Sequence, residues 1–455
     1  MSGHRLPSGG LIDRDTGLSF RFDGKDYRGH PGDSLASALI ASGVTLFGRS
    51  FKYHRRRGVF AFGADEPNAL VTLREGARAE PNLKATTVEL YDGLVAASQN
   101  RWPSLDHDVM AVNGLLSRLF VAGFYYKTFK WPSALWEKLY EPVIRRAAGL
   151  GAASGLPDPD SYETVTAHCD VLVVGAGPAG LMAALSAARS GARVILATAD
   201  TRLGGQLLAE RHAIDGRPGA EFAAGIAAEL ATMPDVRILT RTSVFGAYDG
   251  GSFGALEKVA DHLPVPPDGL PRQRLWTLLS RQSIIAVGST ERPIVLSGND
   301  LPGVMLAGAS RSYAVRNGVS TGRRTAIFTA NDAGWQAAAD LAACGVSLAA
   351  VIDPRADVSP ALTSALAGVR TYTGARVREA LGAKTLERIV IDKANGSSEV
   401  LDVDGLGLSG GFQPSIQLTG HLGGRPVWRD DLGAFGHGPL PKGMQVAGSA
   451  AGTMT

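Results

Sequence analysis

A chain of 455 residues, 45% hydrophobic and 20% charged, carries too much apolar material for a disordered segment or a single small domain. Its formal net charge of +3 argues against a nucleic-acid partner held by bulk charge. No window reaches the roughly 18 uncharged apolar residues of a membrane span, and the first ten residues lack a signal peptide's apolar core.

Residues 1 to about 16 are polar and rich in Gly and Pro, and are expected to form a loose arm. From Leu18 to His30 apolar residues alternate on both sides of Asp23-Gly24, a hairpin signal. Asp33 or Ser34 can cap a helix from Leu35 to Ser42. With short strands near Val59–Phe62 and Ala69–Leu73, residues 1–100 read as a small β-grasp domain. Within it, Gly48-Arg-Ser-Phe-Lys-Tyr-His-Arg-Arg-Arg-Gly58 is a dense basic and aromatic loop. By charge alone it reads as a solvated charge run, with a clamp for an anionic group as the functional alternative. Residues 101–165 form an aromatic helical connector and linker, containing Trp102, Phe120, Phe124, Tyr125, Tyr126, Phe129, Trp131, Trp136 and Tyr140. Core packing is the default expectation for these aromatics, with a partner surface as the alternative.

The stretch from Cys169 to Leu196 carries the strongest signal. An apolar strand runs into Gly175-Ala-Gly177-Pro178-Ala179-Gly180, then an Ala-rich helix, Gly191 and a second apolar strand. This is a dinucleotide fingerprint in its required context. Gly175 permits the tight turn, Gly177 the approach of a pyrophosphate, and Gly180 close packing of helix on strand. The helix start offers free N–H groups to phosphate. The acid that normally holds the adenosine ribose is displaced: Thr198 stands near its place and Asp200 follows one or two residues late. Gly204-Gly205-Gln206 and the strand-turn ending at Gly288 add further cofactor-binding candidates.

A second βαβ unit begins at Arg324, but its turn, Asn331-Asp-Ala-Gly334, lacks the three glycines, although Asp353 ends its second strand. A Rossmann-like domain that has lost its ligand is at least as good a reading as a binding one. Val446-Ala-Gly448 resembles the last strand-turn of the first nucleotide domain, with Ser449 where flavin enzymes of this layout carry Asp, and the sequence stops short of the helix that normally follows. The expected fold is therefore α/β, a two-dinucleotide-domain architecture preceded by a ferredoxin-like β-grasp domain. The first dinucleotide-binding domain is expected over 166–322 and 401–455, and the second over 323–400. The two cysteines, Cys169 and Cys344, lie in apolar runs and read as buried hydrophobes. Together with the lack of a leader, they point to a reducing cytoplasm. No nucleophile–base pair and no metal-ligand spacing emerges, so catalytic residues are left unassigned and no metal site is expected.

These motifs, together with Ala286–Pro293, Asn299–Gly308, Phe328–Asp332 and Ser409–Pro414, resemble the α subunits of heterotetrameric sarcosine oxidase along the whole chain. The resemblance implies an αβγδ complex that oxidatively demethylates sarcosine to glycine. In such a complex the α subunit binds NAD. The β subunit holds FAD and a covalent FMN near the α–β contact, and the δ subunit holds zinc. Carried to this sequence, Gly175, Gly177 and Gly180 would meet the NAD pyrophosphate; FMN would be shared with the partner, and FAD on this chain ranks behind NAD. The N-terminal domain resembles a [2Fe–2S] ferredoxin fold without cysteine, so no Fe–S cluster is expected. Family α subunits also continue into an aminomethyltransferase-like, tetrahydrofolate-binding half that this sequence stops before, as a split gene or a truncated product would. The alternatives are a stand-alone NAD(P)H-dependent flavin oxidoreductase and a truncated non-catalytic subunit.

Overall fold

A computed structural model of the chain describes residues 3–115, 117, 123, 131–147 and 149–454. Two compact units divide the chain, one of Met1–Pro159 with Ile294–Leu408, the other of Asp160–Pro293 with Ser409–Thr455. The divisions thus fall at 160, 294 and 409, where the sequence reading placed them at 166, 323 and 401.

The first unit begins with a five-stranded sheet in the order Lys25–Gly29, Leu18–Phe22, Leu94–Ser98, Leu70–Leu73, Glu80–Lys84. Leu18–Phe22 and Lys25–Gly29 pair antiparallel, with Phe22 opposite Lys25. The two residues between them, Asp23 and Gly24, have φ of 48° and 76°, the double positive φ that a two-residue hairpin turn requires. Leu18–Phe22 then runs parallel to Leu94–Ser98. Across the sheet lies the helix Leu35–Ala41, buried at every position. Of the two candidate caps, Ser34 performs the role: its Oγ accepts the Ser37 N–H, and the Ser37 Oγ accepts the Ser34 N–H.

Asp33 instead receives an arginine. Arg5 donates to both its carboxylate oxygens, at 3.1 and 2.6 Å, and to the Asn317 carbonyl at 2.7 Å. The Leu6 N–H donates to the Gly318 carbonyl, and Leu6 itself is buried. The N-terminal segment is therefore pinned rather than loose, because partners from residues 33 and 317–318 satisfy its charge and backbone groups.

The same unit holds a parallel sheet ordered Val304–Leu306, Gly405–Ser409, Thr325–Thr329, Leu348–Asp353, Arg370–Thr373. The pairing of Val304–Leu306 with Gly405–Ser409 explains why residues 294–322 group with this unit. The helix Ala307–Asn317 follows directly and ends on Gly318 at φ 62°, the left-handed closing residue that helices favour. A three-stranded antiparallel sheet, Arg376–Leu381, Arg388–Asp392 and Ser398–Asp402, completes the unit.

The connector departs from its expected packing. Its described helical pieces are short: Val109–Gly114, Ser133–Leu135, Trp136–Tyr140 and Glu141–Ala147. Trp102 and Trp131 are 65% and 84% exposed, so core packing does not hold for them; single turns present no continuous apolar face to a sheet. Phe120, Phe124, Tyr125, Tyr126 and Phe129 lie outside the described residues.

In the second unit, Val236–Leu239, Val194–Ala197 and Tyr162–Val174 form a parallel series that continues into Gln273–Ile285. Met444–Val446 adds a further parallel partner to Gln273–Ile285. The N-terminal part of that 13-residue strand also closes an antiparallel meander with Ser252–Glu257 and Thr242–Tyr248. Helices Pro178–Arg189 and Gly219–Ala231 supply buried Leu181, Ala184, Leu185, Ala223, Ile226 and Leu230 to the layer beside this sheet. Among the described residues no helix is long and apolar enough to cross a membrane.

Candidate functional site

The glycine turn of the second unit sits where three strands end together. Its Gly175 N–H donates to the Ala197 carbonyl at 2.8 Å, and the Ala286 N–H to the Val174 carbonyl at 2.7 Å. Gly175 has φ 99°, and a Cβ there would lie 2.3 Å from the Ala286 oxygen. A Cβ on Gly180 would lie 1.9 Å from the Gly175 oxygen. Both positions are closed to any side chain by backbone. Gly177 differs: a Cβ there meets nothing within 4 Å. It faces open space and heads the helix Pro178–Arg189 with no side-chain cap. The first N–H groups of a helix have no internal acceptor, so the N–H groups of Ala179 and Gly180 are available to an outside acceptor.

Other segments close around this start. Gly204 donates its N–H to the Ala176 carbonyl at 2.8 Å. A Cβ on Gly205 would lie 2.9 Å from the Cα of Gly177, and one on Gly448 would lie 2.8 Å from the Ala179 Cβ. Gly288, at φ 83°, faces the Ser449 hydroxyl, which would lie 3.8 Å from a Cβ there. The structure thus brings Gly175, Gly177, Pro178, Ala179, Gly180, Gly204, Gly205 and Gly448 into one neighbourhood, with Gly288 beside Ser449. Gln206 lies in the short turn Gly205–Leu208, where its carbonyl accepts the N–H groups of Ala209 and Glu210.

Thr198 and Asp200 lie past the end of the strand Val194–Ala197. The Thr198 backbone is engaged on both sides, donating to the Leu239 carbonyl and accepting from the Thr242 N–H. One oxygen of Asp200 accepts the Thr201 N–H at 2.7 Å, a local turn of the kind Asp favours. Cys169, on the strand before the fingerprint, is buried, and burial pushes its thiol up to about 11; it is a packing residue there.

The second βαβ unit fills its own equivalent positions. The helix Asp332–Ala343 is capped by Asn331, whose side-chain oxygen accepts the Gly334 N–H at 3.3 Å. Asp353, fully buried, accepts from Trp335 Nε1 at 2.8 Å and from the Arg355 backbone and guanidinium. The carboxylate read from sequence as a potential ribose ligand is therefore surrounded by donors of its own domain.

Sequence reasoning missed three buried arrangements in the first unit. Arg49, in the basic loop, is only 8% exposed and is not part of a solvated run. It donates through Nε and Nη2 to the Leu105 carbonyl and through Nη1 to the His54 carbonyl. His54 Nδ1 lies 2.7 Å from Asp108 Oδ2. Glu66 is fully buried and accepts four backbone N–H groups, from Phe60, Ala61, Asn68 and Ala69. Burial raises its carboxyl above the ordinary value against the lowering effect of these four donors. All three arrangements depend on contacts that no local motif announces.

A family described as 2Fe-2S iron-sulfur cluster binding domain matches residues 15–101. The match bears out the ferredoxin-like reading of this stretch but corrects the expectation of no Fe–S cluster, since the matching family is a cluster-binding one. The two cysteines of the chain, Cys169 and Cys344, lie outside residues 15–101, so the stretch has no thiolate ligands to offer. The sarcosine oxidase α subunit of Rhizobium meliloti (strain 1021) is 53% identical over 459 residues, covering 100% of this chain and 46% of that one, its N-terminal half. The α subunit from Corynebacterium sp. (strain U-96) is 35% identical, over 98% of this chain and 43% of its own. The chain thus spans about half the length of these curated relatives. The crystal structure of L-proline dehydrogenase from P. horikoshii shares the fold, with a TM-score of 0.66, 19% identity, and coverage of 99% of this chain and 71% of that one. Residues 169–427, which include the glycine turn, match the pyridine nucleotide-disulphide oxidoreductases. The chain belongs to that family, and over its whole length it is similar to the N-terminal half of sarcosine oxidase α subunits.

Proposed function

We propose that the second unit binds NAD, with the pyrophosphate against Gly175–Gly180, and that the chain serves as the α-type subunit of a sarcosine-oxidising complex. The observation that carries this reading is the uncapped helix start at Gly177, open above and ringed by glycines from separate segments. Uncapped N–H groups and the positive helix end favour a diphosphate there. Gly205 and Gly448 keep the surrounding backbone close without filling the cradle. Thr198 and Ser449, standing where flavin enzymes of this layout carry acids, favour NAD over FAD. When bound, the dinucleotide would supply the nicotinamide ring; the residues of this chain hold and orient it.

In this reading the oxidation of the amine CH–NH group is flavin chemistry on a partner β subunit. FMN would be shared at the contact with this chain, and γ and δ subunits would complete the assembly. Denaturing release and mass identification of the copurifying nucleotide, from the isolated chain and from its complex, tests the assignment. NAD in both samples is expected. Release of FAD from the isolated chain would overturn it in favour of a stand-alone flavin oxidoreductase.

A further inference from the structure

The hairpin formed by Gly48–Arg49 and Arg56–Arg57 borders a cavity of about 230 Å³ in the first unit. That is below the roughly 300 Å³ at which pockets begin to hold drug-sized molecules, and it suits a small polyatomic ion. Among the described residues no Asp or Glu lines it; its polar lining is Arg49, Ser50, Arg57, Asn68, Gln99 and Asn100.

Three of these residues set its character. Arg49 contributes fixed positive charge, since its nitrogens are spent on the carbonyls of Leu105, Asp106 and His54. Burial, reinforced by the nearby Arg56, holds its guanidinium below the ordinary value despite Asp108 and Asp106. The described hydrogen bonds of Arg57 all use Nη1, reaching the Arg56 carbonyl, the Asp300 carbonyl and Asp300 Oδ2. Its Nε and Nη2 remain as donors. Gln99 is 9% exposed; its Oε1 accepts the Asn82 N–H at 3.2 Å, while its Nε2 is buried without an acceptor. A buried donor lacking an acceptor is uncommon in native structures and calls for an unseen partner.

We infer that this cavity is an oxyanion site that takes a phosphoryl group, either as free phosphate or on an organic phosphate. A tetrahedral phosphoryl group presents several strong acceptors to donors arriving from different segments, and the planar arginine fork matches its edge. The remainder of the loop's positive charge is placed elsewhere: Lys52 Nζ lies over the Tyr53 ring at 4.9 Å, Arg55 lies 60% exposed near Asp300, and Arg56 pairs with Asp106.

Calorimetric titration of the full chain with inorganic phosphate at low ionic strength tests the site, and one saturable event per chain is expected. Gln99→Glu keeps the acceptor for Asn82 and adds negative charge to the lining; it should weaken binding about tenfold or more. Arg57→Lys retains the charge beside Asp300 but loses the fork, and should weaken binding less than Gln99→Glu. Arg55→Gln removes an exposed charge of the same hairpin and should leave affinity within about twofold. A parallel titration with phenyl phosphate separates the sources: tighter binding than inorganic phosphate assigns an organic phosphate, and equal or weaker binding assigns the free ion. Absence of a saturable event, or an equal loss in Arg55→Gln and Gln99→Glu, overturns the site. Thermal melts of each variant distinguish lost binding from lost fold.

Discussion

Arg57 Nη1 lies 2.7 Å from Asp300 Oδ2, joining two residues 243 positions apart in the chain. Burial pushes the Asp300 carboxyl up, but the Arg57 hydrogen bond and the charges of Arg57 and Arg55 outweigh it and leave it below its ordinary value. A depressed carboxylate contributes stability that is present above its unfolded pKa and is lost as pH falls through its folded one. Asp300→Asn is therefore expected to cost about 1 kcal/mol at neutral pH, a magnitude suited to a partly exposed pair. The cost should vanish in acid below the usual carboxylate range. Denaturant unfolding of both proteins across that range checks the sign.

Glu66 behaves in the opposite sense. Its raised carboxyl contributes stability that is fully present below the unfolded pKa and is lost as pH rises through the folded one. Glu66→Gln turns an amide toward backbone N–H groups that need acceptors, and should cost about 3 kcal/mol in acid. The gap to the parent should narrow as pH rises above the ordinary glutamate value. A gap that widens with pH contradicts this account; thermal unfolding at a series of pH values reads it.

Gly177 and Gly180 separate binding from folding. Alanine is the better intrinsic helix former by about 1 kcal/mol, yet at Gly180 its Cβ would fall 1.9 Å from backbone oxygen. Gly180→Ala should lower stability by about 2 kcal/mol or more. Gly177→Val meets no protein atom at its Cβ, so the melting temperature should hold while copurified nucleotide falls at least tenfold. A parallel decline in both properties for Gly177→Val would contradict an open cradle.

Asp353 tests the other βαβ unit. Trp335→Phe removes one donor to this buried carboxylate and leaves the Arg355 contacts. A loss of about 1 to 3 kcal/mol is expected, with no change in the nucleotide retained per chain. Chemical denaturation together with nucleotide release reads both quantities.

Much of the local structure was legible in the sequence because its causes are local. Asp23-Gly24 demanded positive φ, Ser34 supplied a cap to its own helix, and the spacing of Gly175, Gly177 and Gly180 announced a turn of strand into helix. Apart from Glu66, whose donors lie within six residues, what escaped notice has distant causes. The basic loop read as solvated because nothing near Arg49 in sequence reveals that Leu105 supplies its acceptor. Arg5 seemed to belong to a loose arm because Asp33 and the Asn317 carbonyl, which hold it, are remote. That residues 294–322 group with the first unit was not legible either, because Val304–Leu306 finds its strand partner a hundred residues later. The cluster expectation failed for another reason: it rested on the cysteine count alone, whereas residues 15–101 match a cluster-binding family.

The long strand Gln273–Ile285 sets an order of events during synthesis. Its meander partners precede it closely, so a hairpin ribbon is able to form as soon as it emerges. Its parallel partner Met444–Val446 is made some 160 residues later, and parallel pairings at such separation form slowly. Until that segment arrives, the C-terminal part of the strand carries an unpaired flank. A nascent chain lacking it exposes a strand edge open to association. Ribosome-stalled chains ending before and after residue 446 should accordingly differ in their tendency to aggregate.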